Sequence, residues 1–286
     1  MSKNKRVVLI TGCSSGIGKS LSRALHNRKD TIVYASARKV QSISDLEAEG
    51  LNIVQLDVVD LDSINKAVEF IIQKEGKIDI LINNAGMSSY SPSVELSDQD
   101  AKRIMNTNFF GVVNTSNAVA KHMINKQSGL IVNIGSIVGT LTTPFAGMYC
   151  ASKAAVHSWT DALRMELDPF NVKVVLVLPG AIKSEIANNA QSQLDSILAN
   201  TIYKPIEEYL VMRSQSSQSN AVSSEIFSEY VVNQIMKPSP PISFAYGPLS
   251  TLFSFVKHLP KSITDFIFKR KFGLLRLKSI IKEKSQ

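Results

Sequence analysis

The chain has little cysteine and no long uninterrupted apolar run, and both shortages narrow the classes of protein it can belong to. Two cysteines occur among 286 residues, Cys13 and Cys150, far apart in sequence. This composition provides no disulfide framework and no cysteine-based metal cluster, and it suits a reducing compartment. The first residues, M-S-K-N-K, lead directly into the apolar Val7-Val8-Leu9-Ile10, which does not resemble a secretory signal.

Long charged runs and low-complexity segments are also missing, so a folded globular body is expected. The net charge of +8 is unevenly distributed along the chain. From Tyr246 to Gln286 there are nine Lys or Arg against two Asp or Glu, which leaves the rest of the chain at +1. The basic character therefore belongs to the C-terminal segment, and nothing in the sequence indicates a metal, a covalent cofactor or nucleic acid.

Short β-branched runs alternate with longer helical patterns along most of the chain. Strands are predicted at Arg6–Thr11, Thr31–Ala35, Asn52–Leu56, Ile78–Ile82, Gly129–Ile134, Lys173–Leu178 and Ile242–Tyr246. Helices are predicted at about Gly16–Asn27, Leu61–Lys74, Asp98–Lys126 and Met148–Leu167. This alternation predicts an α/β fold, a doubly wound parallel Rossmann-type sheet of about seven strands.

Two segments depart from this alternation. Residues 184–224 are rich in Ser, Asn and Gln with a weak helical pattern, and we interpret them as a mobile substrate lid, with a plain surface excursion as the alternative. We expect one oxidoreductase domain over residues 1–246, which includes this lid. Residues 247–286 then form a basic amphipathic C-terminal extension.

A glycine-rich segment follows the first predicted strand and opens the first predicted helix. It reads T-G-C-S-S-G-I-G, from Thr11 to Gly18. Its glycines let the backbone turn tightly and let a pyrophosphate approach the N-terminus of the helix. The segment therefore predicts a nucleotide site.

Tyr149 and Lys153 lie four residues apart in Y-C-A-S-K, thirteen residues after Ser136. That spacing stacks the two side chains on one face of a helix. An ammonium group beside a phenol favours the phenolate, so we expect Lys153 to lower the pKa of Tyr149 from its usual ~10. Such a phenol exchanges a proton with a substrate oxygen at neutral pH. With hydride from a nicotinamide, it would reduce a ketone.

Taken together, these motifs resemble the short-chain dehydrogenase/reductase family. The matches, in the family's order and spacing, are T-G-C-S-S-G-I-G, Asp57-Val58, Asn83-Asn84-Ala85-Gly86, Asn108, Ser136, Tyr149-x-x-x-Lys153 and Pro179-Gly180. Each motif alone is weak evidence, whereas the combination over about the first 185 residues is specific.

The resemblance implies a role for each matching side chain in catalysis. Tyr149 would be the general acid in reduction or the base in oxidation, and Lys153 would also hold the nicotinamide ribose. Ser136 would donate a hydrogen bond to the carbonyl oxygen and stabilise its negative charge as hydride arrives. Asn108 would lie at a helix kink beside a proton-relay water.

The resemblance also implies a cofactor site. Its members are Gly12, Ser14, Ser15, Gly16, Ile17, Gly18, Asp57, Val58, Asn84, Ala85, Gly86, Tyr149, Lys153, Pro179, Gly180, Ile182 and Ser184. Asp57 and Val58 would hold the adenine, and the segment from Asn84 would shape the nicotinamide side. The carboxamide would contact the segment from Pro179 to Ser184, where the family usually has Thr in place of Ser184.

The end of the second predicted strand favours NADP(H) over NAD. A carboxylate ~18–20 residues past the glycines binds the ribose 2′-hydroxyl in NAD sites. Ser36 stands in this region with no Asp or Glu nearby, and Arg38 follows it. A guanidinium can pair with a 2′-phosphate, and Ser14 could add a hydroxyl donor. The alternative for Arg38 is a solvated loop charge.

The C-terminal extension mixes large apolar residues with Lys and Arg. No apolar run of ~18–20 residues survives these charges, so a spanning helix is not expected. The composition suits helices that lie in a membrane interface, broken in two by Pro260. A basic helix packed on its own domain or across a dimer is the alternative. The family's pairing of long helices implies a homodimer.

The pattern P-F-A-G-M-Y-C-A-S-K-A-A-V-H, D-P-F-N-V-K-V and the basic C-terminus resemble fungal and plant NADPH-dependent 1-acyldihydroxyacetone phosphate reductases. The expected activity is therefore NADPH-dependent reduction of a lipid ketone, at the cytosolic face of the endoplasmic reticulum or a lipid droplet. A retinoid or 17β-hydroxysteroid oxidoreductase is the alternative enzyme. A nucleotide-binding membrane scaffold without turnover is the non-enzymatic alternative.

Overall fold

A seven-stranded parallel sheet forms the centre of the computed structural model, which describes residues 5–183, 197–215 and 220–285. Its strands are β1 (Arg6–Ile10), β2 (Thr31–Ala37), β3 (Asn52–Gln55), β4 (Ile80–Asn83), β5 (Gly129–Ile134), β6 (Val172–Pro179) and β7 (Ser243–Tyr246). They lie in the order β3-β2-β1-β4-β5-β6-β7. The predicted doubly wound sheet is confirmed, with all seven predicted strands present.

Helices connect the strands and cover both faces of the sheet. Up to β7 they are α1 (Gly16–His26), α2 (Ser44–Ala48), α3 (Leu61–Glu75), α4 (Asp98–Met105), α5 (Gly111–Lys126), α6 (Gly147–Leu167), α7 (Glu207–Gln215) and α8 (Ser224–Ile235). Three of the predicted crossover helices are confirmed within one residue at each end, whereas the predicted helix Asp98–Lys126 is divided by a π turn into α4 and α5. Helices α2, α7 and α8 were not predicted.

Alternating side chains of the strands build two apolar layers. In β1, Val8 and Ile10 join the layer that contains α1 and α8, whereas Val7 and Leu9 join the layer of α3, α5 and α6. Successive side chains of a strand point to opposite faces, and helices cover both of them. The central strands are therefore apolar almost throughout, which is why their sequences read as continuous hydrophobic runs.

The sheet changes direction of winding between β1 and β4. The chain runs outward from β1 through β2 to β3, then returns to pair β4 with the opposite edge of β1. Ligands of open α/β sheets bind beyond the carboxyl ends of the strands at this kind of switch point. The glycine segment follows β1 and the Asn84–Gly86 segment follows β4, so the fold brings both to this crevice.

The segment predicted as a lid, 184–224, is partly helical where it is described. Residues 184–196 and 216–219 lie outside the described residues. The rest contains a 3₁₀ turn, Lys204–Ile206, followed by α7. The helical pattern of α7 is weak in sequence because Arg213 and Ser214 share its buried face with Leu210.

Three further helices follow β7, namely α9 (Ser250–Val256), α10 (Lys261–Lys271) and α11 (Leu274–Lys284). Helix α10 begins directly after Pro260, so the predicted break is confirmed. A second break falls at Gly273, whose φ is +72° and where a Cβ would lie 2.4 Å from Cδ2 of Tyr209. Among the described helices none is long and apolar enough to cross a membrane.

These C-terminal helices pack on the body of the protein. Phe253 of α9 joins Ile137 and Leu141, which follow β5. Phe272, just beyond α10, is 3% exposed and packs with Phe145, Ile206 and Leu210. Arg276 of α11 pairs with Glu208 of α7 at 2.5 Å.

We call residues 197–215 and 250–284 together the cap, because they cover the loop after β5. The domain boundary predicted at residue 246 stays a prediction.

Candidate active site

Helix α6 presents three chemically important side chains at intervals of four residues. Tyr149, Lys153 and His157 recur one turn apart, so they lie on one face of the helix. Lys153 is 6% exposed and His157 is 9% exposed, whereas Tyr149 is half-buried. This face is directed at the end of β5, which leads into Ser136.

The Ser136 hydroxyl lies close enough to the Tyr149 phenol to lower its pKa. Ser136 has extended backbone angles and precedes the 3₁₀ turn Ile137–Gly139, where its Oγ accepts from the N–H of Val138 at 3.4 Å. Its own backbone N–H donates to Nε2 of His157 at 3.3 Å. Helix α6 therefore holds the Ser136 loop from behind while Tyr149 meets its hydroxyl.

Burial controls the ionisation of Tyr149. It raises the pKa of the phenol, and Tyr90 and Cys150 act in the same direction, whereas the Ser136 hydroxyl and the charge of Arg213 lower it. The net shift is upward, opposite to the lowered pKa that the spacing of Tyr149 and Lys153 predicted. Loss of hydration outweighs neighbouring charges here, and the phenol keeps its proton.

The Lys153 ammonium is engaged elsewhere. Its Nζ donates to the carbonyl oxygen of Ile134 at 2.8 Å, and burial lowers its pKa to about 8. Burial also lowers the pKa of His157 to about 4, with the charge of Lys153 acting in the same direction. His157 is consequently neutral at pH 7 and can accept the Ser136 N–H.

Asn108 lies in a π-helical turn, Asn106–Phe110, between α4 and α5. It is fully buried, its Oδ1 accepts from the N–H of Met87 at 2.8 Å, and its Nδ2 donates to Ser152 Oγ at 3.0 Å. A π turn often marks a functional site in a long helix. The turn lies at the predicted kink, and Asn108 connects the loop after β4 with α6.

Gly86 brings this loop close to both polar groups. A Cβ at Gly86 would lie 3.4 Å from Oδ1 of Asn108 and 3.8 Å from Nζ of Lys153. One wall of the site therefore contains Gly86, Asn108 and Lys153, which were predicted from three separate motifs.

The glycine segment is packed tightly against the end of β4. Gly12 has φ +72°, and a Cβ there would lie 2.7 Å from Cα of Ala85. The Asn84 side chain braces this segment by donating to the carbonyl oxygens of Thr11 at 2.9 Å and Gly12 at 3.0 Å. Larger residues would not fit, so the segment is built for close backbone approach, which suits a dinucleotide pyrophosphate at the start of α1.

The predicted cofactor residues after β2 and β3 also face this crevice edge. Arg38 is exposed directly after β2, while Ser36 is buried and donates to the carbonyl oxygen of Ile10 at 2.9 Å. The Asp57 carboxylate accepts from the N–H of Val59 at 3.1 Å. Val58 is buried, and a Cβ at Gly111 would lie 2.8 Å from its Cγ2.

The last predicted positions follow β6. Gly180 donates its N–H to the carbonyl oxygen of Tyr246 at 2.8 Å, and Ile182 bridges to Val222. Ser184 lies outside the described residues. The structure thus brings most predicted positions to one crevice, while their individual roles stay predictions.

Residues 6–195 match the family model described as short chain dehydrogenase. The chain belongs to this short-chain dehydrogenase family. It is therefore an oxidoreductase, and the scaffold alternative is not supported.

Relatives extend the similarity beyond the matched region. A 3-ketodihydrosphingosine reductase of Bacteroides thetaiotaomicron is 34% identical over 92% of this chain and 97% of its own.

Two yeast relatives carry the name NADPH-dependent 1-acyldihydroxyacetone phosphate reductase. The one from Schizosaccharomyces pombe is 33% identical over 81% of this chain and 79% of its own. The one from Saccharomyces cerevisiae is 27% identical over 100% and 97%. The sequence motifs predicted a resemblance to 1-acyldihydroxyacetone phosphate reductases. They predicted no resemblance to a sphingolipid reductase.

Solved structures agree with the short-chain dehydrogenase fold. A short-chain dehydrogenase from Streptomyces avermitilis superposes with a TM-score of 0.75 at 23% identity and 98% coverage of both chains. A serine dehydrogenase complexed with NADP+ gives a TM-score of 0.74 at 26% identity, with 85% of this chain and 95% of that chain covered.

The sequence analysis missed His157, Tyr90 and Arg213. His157 had a usable signal, because it continues the four-residue spacing of Tyr149 and Lys153. Tyr90 and Arg213 had none, since neither belongs to a recognisable motif. They reach Tyr149 through folding of distant segments.

Proposed function

We propose that this short-chain dehydrogenase reduces a ketone on a lipid with NADPH, and that 1-acyldihydroxyacetone phosphate is its substrate. The product is 1-acylglycerol 3-phosphate. The observation that carries this proposal is the apolar cap built beside the Ser136–Tyr149 pair. Phe145, Ile206, Leu210 and Phe272 pack together as a buried apolar cluster, which we call the apolar wall and which would border an acyl chain.

Each group of the site has a task in this reaction. Bound NADPH supplies a hydride to the carbonyl carbon. Ser136 donates a hydrogen bond to the carbonyl oxygen, and Tyr149 transfers its proton to that oxygen as the carbon–oxygen double bond becomes a single bond. The Tyr149 phenol is protonated at neutral pH, which is the form a general acid needs. A proton from solvent later restores it.

Three observations support NADP(H) as the cofactor: the residues at the end of β2, the names of two relatives and the ligand of a similar structure. Arg38 is exposed at the end of β2, where Ser36 is buried and the segment up to Lys39 has no carboxylate. The yeast relatives are named as NADPH-dependent. The serine dehydrogenase of similar fold is complexed with NADP+.

A second candidate substrate is 3-ketodihydrosphingosine, favoured by the Bacteroides relative that covers 92% of this chain. Both candidates are ketones on long-chain lipids, so both suit the apolar cap. They differ in charge, because one carries a phosphate and the other an amine.

Contact with a membrane or lipid-droplet surface is part of the proposal. Leu252, Phe255, Ile263 and Phe266 of α9 and α10 are between 46% and 71% exposed. Their neighbours include Lys257, Lys261 and Lys269, which suits an anionic lipid surface. The cytosolic face of the endoplasmic reticulum or of a lipid droplet would present such a surface and the substrate together.

The test is NADPH oxidation by the purified full-length protein with four ketones or aldehydes. These are 1-acyldihydroxyacetone phosphate, 3-ketodihydrosphingosine, a retinaldehyde and a steroid ketone, with products identified by mass spectrometry. We expect the highest kcat/KM with 1-acyldihydroxyacetone phosphate. A higher kcat/KM with retinaldehyde or the steroid would reject lipid-ketone reduction, and a higher value with the sphingoid ketone would select the second candidate.

A further inference from the structure

Arg213 is a buried cation of the cap. It lies in α7, is 6% exposed, and its Nη2 donates to Oγ1 of Thr143 at 2.9 Å. Its guanidinium carbon lies 4.9 Å from the ring centroid of Tyr90 and 5.9 Å from that of Phe272. Taking a guanidinium out of water is costly, so burial of Arg213 requires partners that compensate for the lost hydration.

The contacts of Arg213 locate it beside the reacting groups. Thr143 precedes Tyr149 by six residues, on the loop that leads into α6. Tyr90 packs with Ala146 and Cys150, the second of which adjoins Tyr149. The charge of Arg213 reaches the Tyr149 phenol and lowers its pKa. Phe272 closes the other side, so the guanidinium lies between the proton donor and the apolar wall.

We propose that Arg213 selects the substrate by binding an anionic group, a phosphate monoester, attached close to the ketone of a lipid. This inference rests on the proposed function and specifies its substrate class. A guanidinium presents forked N–H donors that match two phosphate oxygens. Stacking on Tyr90 and the bond to Thr143 hold the plane of the fork in one orientation.

The same cation disfavours the alternative substrate. A lipid ketone with an ammonium group beside its carbonyl would bring two positive charges together in a site of low polarity, where their repulsion is strong. Arg213 therefore favours the phosphate-bearing ketone over the sphingoid ketone, although the sphingolipid reductase is 34% identical to this chain. Specificity comes from rejecting one ligand as well as from binding the other.

The test separates recognition of the phosphate from turnover. Dissociation constants of 1-acylglycerol 3-phosphate and of 1-acylglycerol are measured in the presence of NADP+ for the wild type, Arg213→Gln and Arg213→Lys. We expect the wild type to prefer the phosphorylated ligand, and Arg213→Gln to reduce that preference by about 10–100-fold, the scale of a charge-assisted hydrogen bond. The affinity for 1-acylglycerol should stay within about twofold, because that ligand has no phosphate for Arg213 to bind.

Two further variants serve as controls for Arg213→Gln. Arg276→Gln removes an exposed guanidinium of the same cap, paired with Glu208, and should leave the preference unchanged. If Arg213→Gln does not fold, Arg213→Lys keeps the charge without the fork and should lower the preference several-fold. An unchanged preference in the folded Arg213 variants, or equal loss of both ligands, overturns the inference.

Failure of the proposed function would look different. If the wild type binds 1-acylglycerol 3-phosphate through Arg213 but does not oxidise NADPH with 1-acyldihydroxyacetone phosphate, the anion site stands and the assigned reaction falls. If it reduces that ketone while Arg213→Gln retains full preference for the phosphate, the reaction stands and the role of Arg213 falls.

Discussion

At the scale of single residues, burial shifts the pKa of each titratable side chain on the inner face of α6 toward its neutral form. It raises the pKa of Tyr149, lowers that of Lys153 to about 8, and lowers that of His157 to about 4. Each shift favours the neutral form, as expected when a group loses hydration. The Tyr149 phenol and the His157 imidazole are therefore neutral at pH 7, whereas Lys153 still carries most of its charge.

Replacing Tyr149 with Phe tests the proton donor. We expect Tyr149→Phe to lower kcat by about 10²–10⁴-fold, the usual contribution of a positioned acid, while NADPH affinity stays nearly unchanged. The measurement is NADPH oxidation with the preferred ketone, together with NADPH binding by fluorescence. Tyr230→Phe, on α8, removes the same hydroxyl elsewhere and should keep full activity. Full activity in Tyr149→Phe would reject the assignment.

Arg38 decides cofactor preference if it meets the 2′-phosphate. We expect Arg38→Asp to shift the ratio of kcat/KM for NADPH to that for NADH by about 10–100-fold toward NADH, because a charge-assisted bond becomes a repulsion. Steady-state kinetics with both cofactors provide the ratio. Lys39→Asp makes a comparable charge change at the next exposed residue and should have a much smaller effect. An unchanged ratio in Arg38→Asp would contradict this role.

His157 makes stability depend on pH. Its folded pKa of about 4 lies below its ordinary 6.5, so the unfolded chain binds the proton more readily and stability falls as pH drops from 6.5 towards 4. The expected loss of unfolding free energy is up to about 2 kcal/mol between pH 7 and pH 5. His157→Gln keeps an acceptor for the Ser136 N–H and should lose much less over that interval.

Urea unfolding of both proteins at pH 7 and pH 5 measures this difference. Asp30 and Asp79 also have lowered pKa values, but from an ordinary value of 3.8, so their effect begins at more acid pH. Equal pH dependence in wild type and His157→Gln would show that His157 is not the responsible group.

At the scale of elements, the site is positioned by a π turn in one helical segment and by the unbroken helix α6. The π turn at Asn106–Phe110 interrupts the long helix from Asp98 to Lys126 and places the Asn108 amide against Met87 and Ser152. Helix α6 runs without a break and aligns Tyr149, Lys153 and His157 on one face. One element therefore supplies the amide and the other supplies the reacting groups.

Phe266 of α10 and Phe272, just beyond its end, are a matched pair for testing the cap. Phe272 is 3% exposed against the apolar wall, whereas Phe266 is 57% exposed. We expect Phe272→Ala to raise KM for the lipid ketone and to lower unfolding free energy by about 3–5 kcal/mol if the cap unfolds with the body. Phe266→Ala should change stability by less than about 0.5 kcal/mol. Equal KM values for both variants would show that the cap does not form the substrate wall.

At the scale of the whole molecule, most of the net positive charge lies in the C-terminal segment, which also exposes large apolar side chains. The segment from Tyr246 onward carries nine Lys or Arg, and its helices expose Phe255 at 71% and Phe266 at 57%. Its inner face is buried against the loop after β5 through Phe253 and Phe272. Removing the segment would also remove these buried contacts, so membrane contact has to be tested by substitutions on the outer face.

We expect the wild type to float with vesicles of phosphatidylcholine and to bind more tightly when phosphatidylserine is added. The double substitution Phe255→Ser with Phe266→Ser should weaken binding by about tenfold or more, because two large apolar side chains are lost from the interface. Val94→Ser, at a loop residue that is 75% exposed, should have no effect. Undiminished flotation of the double variant would contradict interfacial docking.

Homodimer formation stays a prediction.

Local patterns in the sequence predicted the sheet, the four crossover helices and the motifs of the crevice. Strand and helix periodicities are properties of adjacent residues, and Gly12, Ser136, Tyr149 and Lys153 are recognisable because their spacing is short. Each of these features depends on residues close together in the chain. The ionisation of Tyr149 does not, because it is set by how much water the phenol loses when distant segments pack around it.

Sequence alone thus determined the fold class, the family and the positions of the reacting side chains. Tertiary structure decided the ionisation of these groups, the inward packing of the C-terminal helices and the placement of Arg213 near Tyr149. The physical reason is that hydration and long-range contact depend on segments far apart in the chain. Arg213 follows Tyr149 by 64 residues, and only the folded cap brings its charge to the phenol.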